Sequence, residues 1–292
     1  MRENTFMRSR TSQTKLLTGP AAWFSTLIAM SRKELTIMAR YPVEFVASFG
    51  QVFLIVIVLT LAGLMFSPEG ARSAGDSDAA GIVAYGFILF IFLSDTLWTI
   101  GYNVRREQKQ GTLEQLYLSP ASKAASLISR VTVTLFWTGL LSIGSAALMS
   151  AMIGRLPFHN LPLGVLILIL ALSGTFGVGF AFAALTLRVR EAGQTLANLF
   201  QFAFMTLCAP FFPFSALPGW MQPVSRLIPL SYSVDLFRST LMGYPAGFPE
   251  LAPSEVELVI VMAFGLLMPA LGLWLYRRQE DRARRTGSLS EY

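Results

Sequence analysis

The chain is predicted to be an all-α integral membrane protein of six transmembrane helices, on three observations. It is 53% hydrophobic and only 14% charged, where soluble domains carry about 25% charged residues. The runs 45–68, 131–154, 156–187 and 192–225 contain no Asp, Glu, Lys or Arg. A helix needs roughly 20 apolar residues to cross about 30 Å of hydrocarbon, and soluble core helices rarely run that long without charge. The basic residues are also segregated. With spans at about 43–66, 80–103, 122–152, 163–187, 194–212 and 256–276, one face holds 18 Lys and Arg and the other only Arg72, Arg155, Arg226 and Arg238. Arg130 falls inside a span. This asymmetry orients both termini and residues 104–123 toward the cytoplasm.

Composition also excludes several function classes. The net charge of +6 clusters beside the spans, which suits a cytoplasmic membrane face rather than nucleic acid. A single cysteine, Cys208, rules out an intramolecular disulfide and a Cys-based zinc site. A single histidine, His159, argues against a bis-histidine haem, and no metal site is expected. No phosphate-binding loop of the form G-x-x-x-x-G-K-[ST] occurs, so the chain is not expected to bind nucleotide itself. The basic start, "MRENTFMRSRTSQTK", lacks an apolar h-region, so a cleaved signal peptide is not expected.

Taken in order, residues 1–20 read as a disordered basic tail. In 21–42, Phe24, Leu27, Ile28, Leu35 and Met38 recur at helical spacing among Arg32, Lys33 and Arg40. That pattern predicts an amphipathic helix lying in the membrane interface, ended by Pro42. The first span follows, then a Gly-, Ser- and acid-rich loop, "SPEGARSAGDSDAAG". "GRLPFHNLP" and "RVREAG" bracket the fourth span as short turns. The stretch 210–255 is a proline-broken, partly apolar connector. Residues 277–292 read as a basic cytoplasmic tail.

The segment between the second and third spans, 104–120, is punctuated like a separate helix. Thr112 can cap its N-terminus, and Gln115 can reach back to complete a capping box. Glu114 in the first turn complements the helix dipole. Leu113, Leu116 and Tyr117 share one face, and Ser119-Pro120 is a fresh start signal for the next span. A solvated loop explains the charges of "REQKQGTLEQLYLSP" but not this punctuation. A docking role explains both.

The pattern E-x-x-x-G-T-L-E-Q-L-x-x-S-P, from Glu107 to Pro120, resembles the cytoplasmic motif of type-2 ABC transporter permeases, the membrane subunits of bacterial exporters. The likeness covers most of the chain. It includes "ARYPVEFV" at the entry to the first span and the pattern FPxSxLPxWxxxxxxxxPLxYxxDxxR at 212–238, shared with drug-exporter-like members. The resemblance implies that Glu107, Gly111, Thr112, Leu113, Glu114, Gln115, Leu116 and Tyr117 form or flank a coupling helix seated in a partner ATPase. It makes Arg188, Arg190 and Glu191 a second, smaller contact, and 21–42 the connecting helix. It makes 210–240 an extracellular re-entrant helical hairpin. It further implies two ATPase copies that bind ATP and Mg, a second permease copy or a related permease, and a bacterial or archaeal inner membrane.

Polar residues within the spans are the remaining candidates. Asp95 lies ten residues before Arg105, and Arg130 ten after Pro120, both roughly 15 Å deep at about 1.5 Å per residue. A charge at that depth costs at least about 2.5–3.5 kcal/mol and wants a partner. Asp95 and Arg130 therefore read as a structural ion pair, or Asp95 as part of a cargo path. Asn198 and Gln201 suit a dimer seam or a cargo path. Pro210 and Pro213 are expected to break the fifth span, and the freed backbone must then be satisfied by protein or water. Trp220 and Tyr232 suit interface anchors, and Asp235 and Arg238, at i, i+3, suit a local pair. The function expected is ATP-driven export of a hydrophobic drug, lipid or lipid-linked cargo. The alternative is a secondary transporter driven by an ion gradient, which would want several intramembrane acids rather than Asp95 alone. An intramembrane enzyme is disfavoured, because no paired carboxylates or Ser-His set appears in the spans.

Overall fold

The computed structural model describes residues 81–96, 123–153, 158–188 and 193–285, with helical positions scattered through 25–58. Among the described residues every regular element is a helix, and no strand occurs. They are α1 (Gly81–Thr96), α2 (Lys123–Ile153), α3 (Leu161–Arg188), α4 (Gly193–Leu207), α5 (Gln222–Arg226), α6 (Pro229–Met242) and α7 (Ser254–Arg285). Two stretches, Leu161–Leu185 and Ser254–Gln279, are long and apolar enough to cross a bilayer, at 25 and 26 residues. The interfacial segment 21–42 and the loop after the first span fall largely or wholly outside the described residues.

Helix ends follow local chemistry. Helix α4 stops at Leu207, short of the predicted 212. Ala209 takes a left-handed φ of 45° and Pro210 has no N–H to continue the ladder. Helix α7 runs past 276 to Arg285, because "RRQEDRARR" contains neither Gly nor Pro to end it. Gly243, at φ 81°, closes α6 in the left-handed conformation that glycine adopts without steric cost.

The outer face of α7 is as apolar as its packed face. Leu266 is 70% exposed and Leu271 52%, while Val261 and Phe264 on the same helix are buried. A helix apolar all round suits a hydrocarbon surround, since water would favour an amphipathic one. Helix α6 is different. All but two of its residues are buried, and it lies against both α3 and α7. Three serines, Ser231, Ser233 and Ser239, are wholly buried there. Ser239 Oγ donates back to the Asp235 carbonyl at 2.6 Å, which meets its hydrogen-bonding need inside the helix.

The tightest packing is between α3 and α7. A Cβ on Gly177 would overlap the Met268 carbonyl, and one on Gly272 would overlap the Gly177 carbonyl. Small residues let the two backbones touch, which is the main source of helix association where lipid removes the hydrophobic drive. Pro269 sits inside α7 at this crossing. Its missing N–H frees the carbonyl four residues earlier, that of Gly265. Ser173 Oγ of α3 donates to that carbonyl at 2.7 Å. The proline break in one helix is thus repaired by a hydroxyl from its neighbour. Ser173→Ala is expected to cost about 1 kcal/mol, and much less in a Pro269→Ala background, where the restored N–H takes the Gly265 carbonyl. A double-mutant cycle on thermal melts of the solubilised protein reads the difference. Equal costs in both backgrounds would show that the bond does not answer the proline.

Candidate functional site

Two polar features stand out of this apolar frame. The first is a cavity of about 410 Å³. Its walls come from the helical stretch 49–55, from α1, α2 and α4, and from Phe211 just after α4. Phe87, Phe90, Trp137 and Phe211 supply aromatic surface, and Met205 and Leu141 fill between them. The polar wall is Gln51, Ser94, Asp95 and Gln201.

Hydrogen bonds hold that polar wall in place. Thr138 Oγ1 of α2 donates to Asp95 Oδ2 of α1 at 2.7 Å. Gln201 Nε2 of α4 donates to Ser94 Oγ at 2.6 Å. Three helices are therefore tied together around the cavity by adjacent residues of α1. Thr138 is the partner of Asp95 among the described residues, and the carboxylate's Oδ1 receives no donor there. The Arg130 side chain lies outside the described residues. Its backbone is eight residues, about 12 Å, along α2 from Thr138. Gln201 and Asp95, read separately from the sequence, share one cavity. Asn198, one turn before Gln201 and partly buried, is not in its wall. Phe200 and Phe204 line a separate apolar groove with Phe182, whereas Phe202 is exposed.

The second feature is a buried charge cluster in the connector between α4 and α7. Asp235 and Arg238, paired at 3.1 Å, are both fully buried. Arg238 uses its whole fork. Its Nε and Nη2 donate to Asp235 Oδ1, Nη2 also to Glu250 Oε1 at 3.0 Å, and Nη1 to the carbonyls of Phe212 and Ala209. The Phe214 and Phe248 rings lie 4.9 and 5.2 Å from the guanidinium carbon, within cation–π range. The carboxylates in turn collect backbone N–H groups. Asp235 Oδ2 accepts from Glu250 and Leu251, and Glu250 accepts from Phe214 and Ser215. This is how a proline-broken chain satisfies its backbone. The freed N–H and C=O groups of 209–215 and 250–251 are met by one charged cluster.

Glu257, in the first turns of α7, is also wholly buried and accepts from the Ala252 N–H at 3.1 Å. Pro210 and Pro213 flank the break, and the Pro210 carbonyl lies where a Cβ on Gly86 would be, so α1 meets the connector through a glycine. Tyr232 Oη donates to the Arg226 carbonyl at 2.9 Å, bracing α5 against α6, and Trp220 is 72% exposed.

Sequence reading identified Asp235 and Arg238 but not Glu250 or Glu257. Their signal was present as acids flanking the last span with few basic residues near. Thr138, Ser94 and Gln51 gave no signal, being ordinary polar residues in apolar runs. The predicted ATPase contacts Glu107, Gly111–Tyr117, Arg190 and Glu191 lie outside the described residues. Arg188 is the last residue of α3, and its side chain lies outside them too.

Comparison with known proteins places this frame. The family model described as ABC-2 family transporter protein matches residues 71–276. The chain is 22% identical over 223 residues to the probable doxorubicin resistance ABC transporter permease protein DrrC of Mycobacterium tuberculosis (strain H37Rv), covering 73% of this chain and 76% of that one. It is 29% identical over 195 residues to nodulation protein J of Sinorhizobium fredii (strain NBRC 101917 / NGR234), covering 64% of this chain and 70% of the relative. The match runs from before α1 into α7 and takes in the Arg238 cluster, the cavity walls supplied by α1, α2 and α4, and the 107–120 motif: the chain belongs to the ABC-2 transporter family and is a membrane subunit of an ABC transporter.

Proposed function

We propose that this chain is the permease subunit of an ATP-driven exporter that moves a hydrophobic drug, lipid or lipid-linked cargo out of the cytoplasm. The observation that carries the reading is the family match over 71–276, which includes the 107–120 motif. ATP and Mg bind the partner ATPase, present in two copies, and the transport unit contains a second permease. Residues 107–117 form the coupling helix and 188–191 the smaller contact. The region 210–240 forms a re-entrant hairpin on the external side, held by the Arg238 cluster.

The cavity supplies a route from coupling to cargo. The coupling segment joins the end of α1 to the start of α2. These two helices meet at the Thr138–Asp95 bond in the cavity wall. A push on the segment changes the angle between α1 and α2 and therefore the shape of the cavity between them. Asp95 and Gln201 belong to the cargo path in this reading.

Cysteine placed at Glu114 or Tyr117 tests it, because the chain's single native cysteine, Cys208, is buried. Crosslinking in native membranes is expected to capture an ABC ATPase. Glu114→Arg is expected to lower ATP-driven transport about tenfold or more in vesicles, at unchanged protein level. Labelling of these cysteines by an impermeant reagent from outside the cell would overturn the topology. Transport driven by an ion gradient with no ATPase would favour the secondary-transporter alternative.

A further inference from the structure

The structure assigns the cavity between α1, α2 and α4 to a monocationic aromatic amphiphile, with Asp95 as its counter-ion. The inference rests on the permease reading for its biological use, but the binding site itself does not. Among the described residues Asp95 is the one ionisable side chain in the cavity wall, with no Lys, Arg or His there. Thr138 holds one carboxylate oxygen at 2.7 Å, leaving Oδ1 without a donor among the described residues.

A carboxylate in an apolar surround needs compensation, which a single neutral hydroxyl supplies only in part. A cation entering the cavity supplies the rest. The walls opposite favour the body of such a ligand. Phe87, Phe90, Trp137 and Phe211 line the cavity, and aromatic rings attract cations as well as apolar groups. A volume of about 410 Å³ lies within the range of sites for drug-sized molecules. Gln201, tied to Ser94 beside Asp95, adds a neutral polar rim that orients without competing for the charge. An anion would meet Asp95 as a like charge. A neutral molecule would leave the carboxyl to be neutralised by a proton instead.

The test uses the full chain in nanodiscs of neutral phosphatidylcholine and two probes of similar aromatic bulk: tetraphenylphosphonium, a permanent cation, and neutral triphenylphosphine oxide. Equilibrium dialysis reads saturable binding of each. The cation is expected to bind more tightly than the oxide. Asp95→Asn is expected to weaken the cation about tenfold or more while leaving the oxide unchanged, and Asp95→Glu to retain it. Gln201→Glu adds a second carboxylate and can keep the Ser94 bond with the donor reversed, so it is expected to tighten the cation alone. Absence of saturable cation binding, binding no tighter than the oxide, or a cation affinity that Asp95→Asn leaves unchanged would overturn the assignment. If Asp95 variants respond but no ATP-dependent export exists, the permease reading fails and the cation site stands. If export is intact and Asp95→Asn binds the cation normally, the cation site alone fails.

Discussion

Arg238→Leu is expected to lower the melting temperature of the solubilised protein by about 10 °C. Removing one member of a buried ion cluster costs about 3–5 kcal/mol, at roughly 2–4 °C per kcal/mol for a chain of this size. The reason is what remains. Asp235 and Glu250 would be left as carboxylates without their guanidinium in a fully packed site, and the carbonyls of Phe212 and Ala209 would lose their donor. Arg238→Lys should recover only part of the loss, since an ammonium has three donors and no planar fork to span Asp235, Glu250 and two carbonyls at once. A triple replacement of Arg238, Asp235 and Glu250 by Leu should not rescue it either. The two carboxylates also hold four backbone N–H groups, of Phe214, Ser215, Glu250 and Leu251. A simple ion pair would be rescued by that triple, so melting curves of the single and triple variants separate an ion pair from a backbone anchor.

Gly272→Ala and Gly139→Ala should act in opposite directions, although both put a methyl group on a helical glycine. The Gly272 methyl would overlap the Gly177 carbonyl at the α3–α7 crossing, where the nearest atoms are backbone and cannot rotate away. The helices must part, which also strains the Ser173 bond to the Gly265 carbonyl. Overpacking of this kind costs about 1–3 kcal/mol or more, and Gly177→Leu should prevent a folded, monodisperse protein altogether. At Gly139 a Cβ meets nothing within 4 Å, so alanine gains the helix propensity that glycine lacks, up to about 1 kcal/mol. Fluorescence-detected size exclusion after a heating step ranks the three. Equal behaviour of Gly272→Ala and Gly139→Ala would mean that α3 and α7 do not cross at Gly177.

Sequence order carries interactions between near neighbours far better than those between distant residues. The local pair Asp235–Arg238 was legible because both residues sit three apart on one helix. The break near Pro210 was legible because proline acts on its own backbone. The partner of Asp95 was not. Thr138 is 43 residues away, while the base that the sequence offered, Arg130, has its side chain outside the described residues. Likewise the partner of the carbonyl freed by Pro269 is Ser173, 92 residues from Gly265. Glu250 joined the Arg238 cluster from the stretch that reads as a proline-broken, partly apolar connector.

The amino-acid order alone determined that this protein lives in a membrane, is built of helices and belongs with the ABC-2 transporter permeases. Those properties come from sums over neighbouring residues: the length of an apolar run, the side on which Lys and Arg collect, the spacing of a motif. Only the folded arrangement decided which polar residues meet. In a soluble protein the contrast between water and core marks the buried face of each helix. Here lipid and core are equally apolar, so the rotation of each helix about its axis is set by close contacts such as Gly177 against Gly272 and by hydroxyl–carbonyl bonds. Those rotations place Asp95 beside Thr138 in the wall of a cavity.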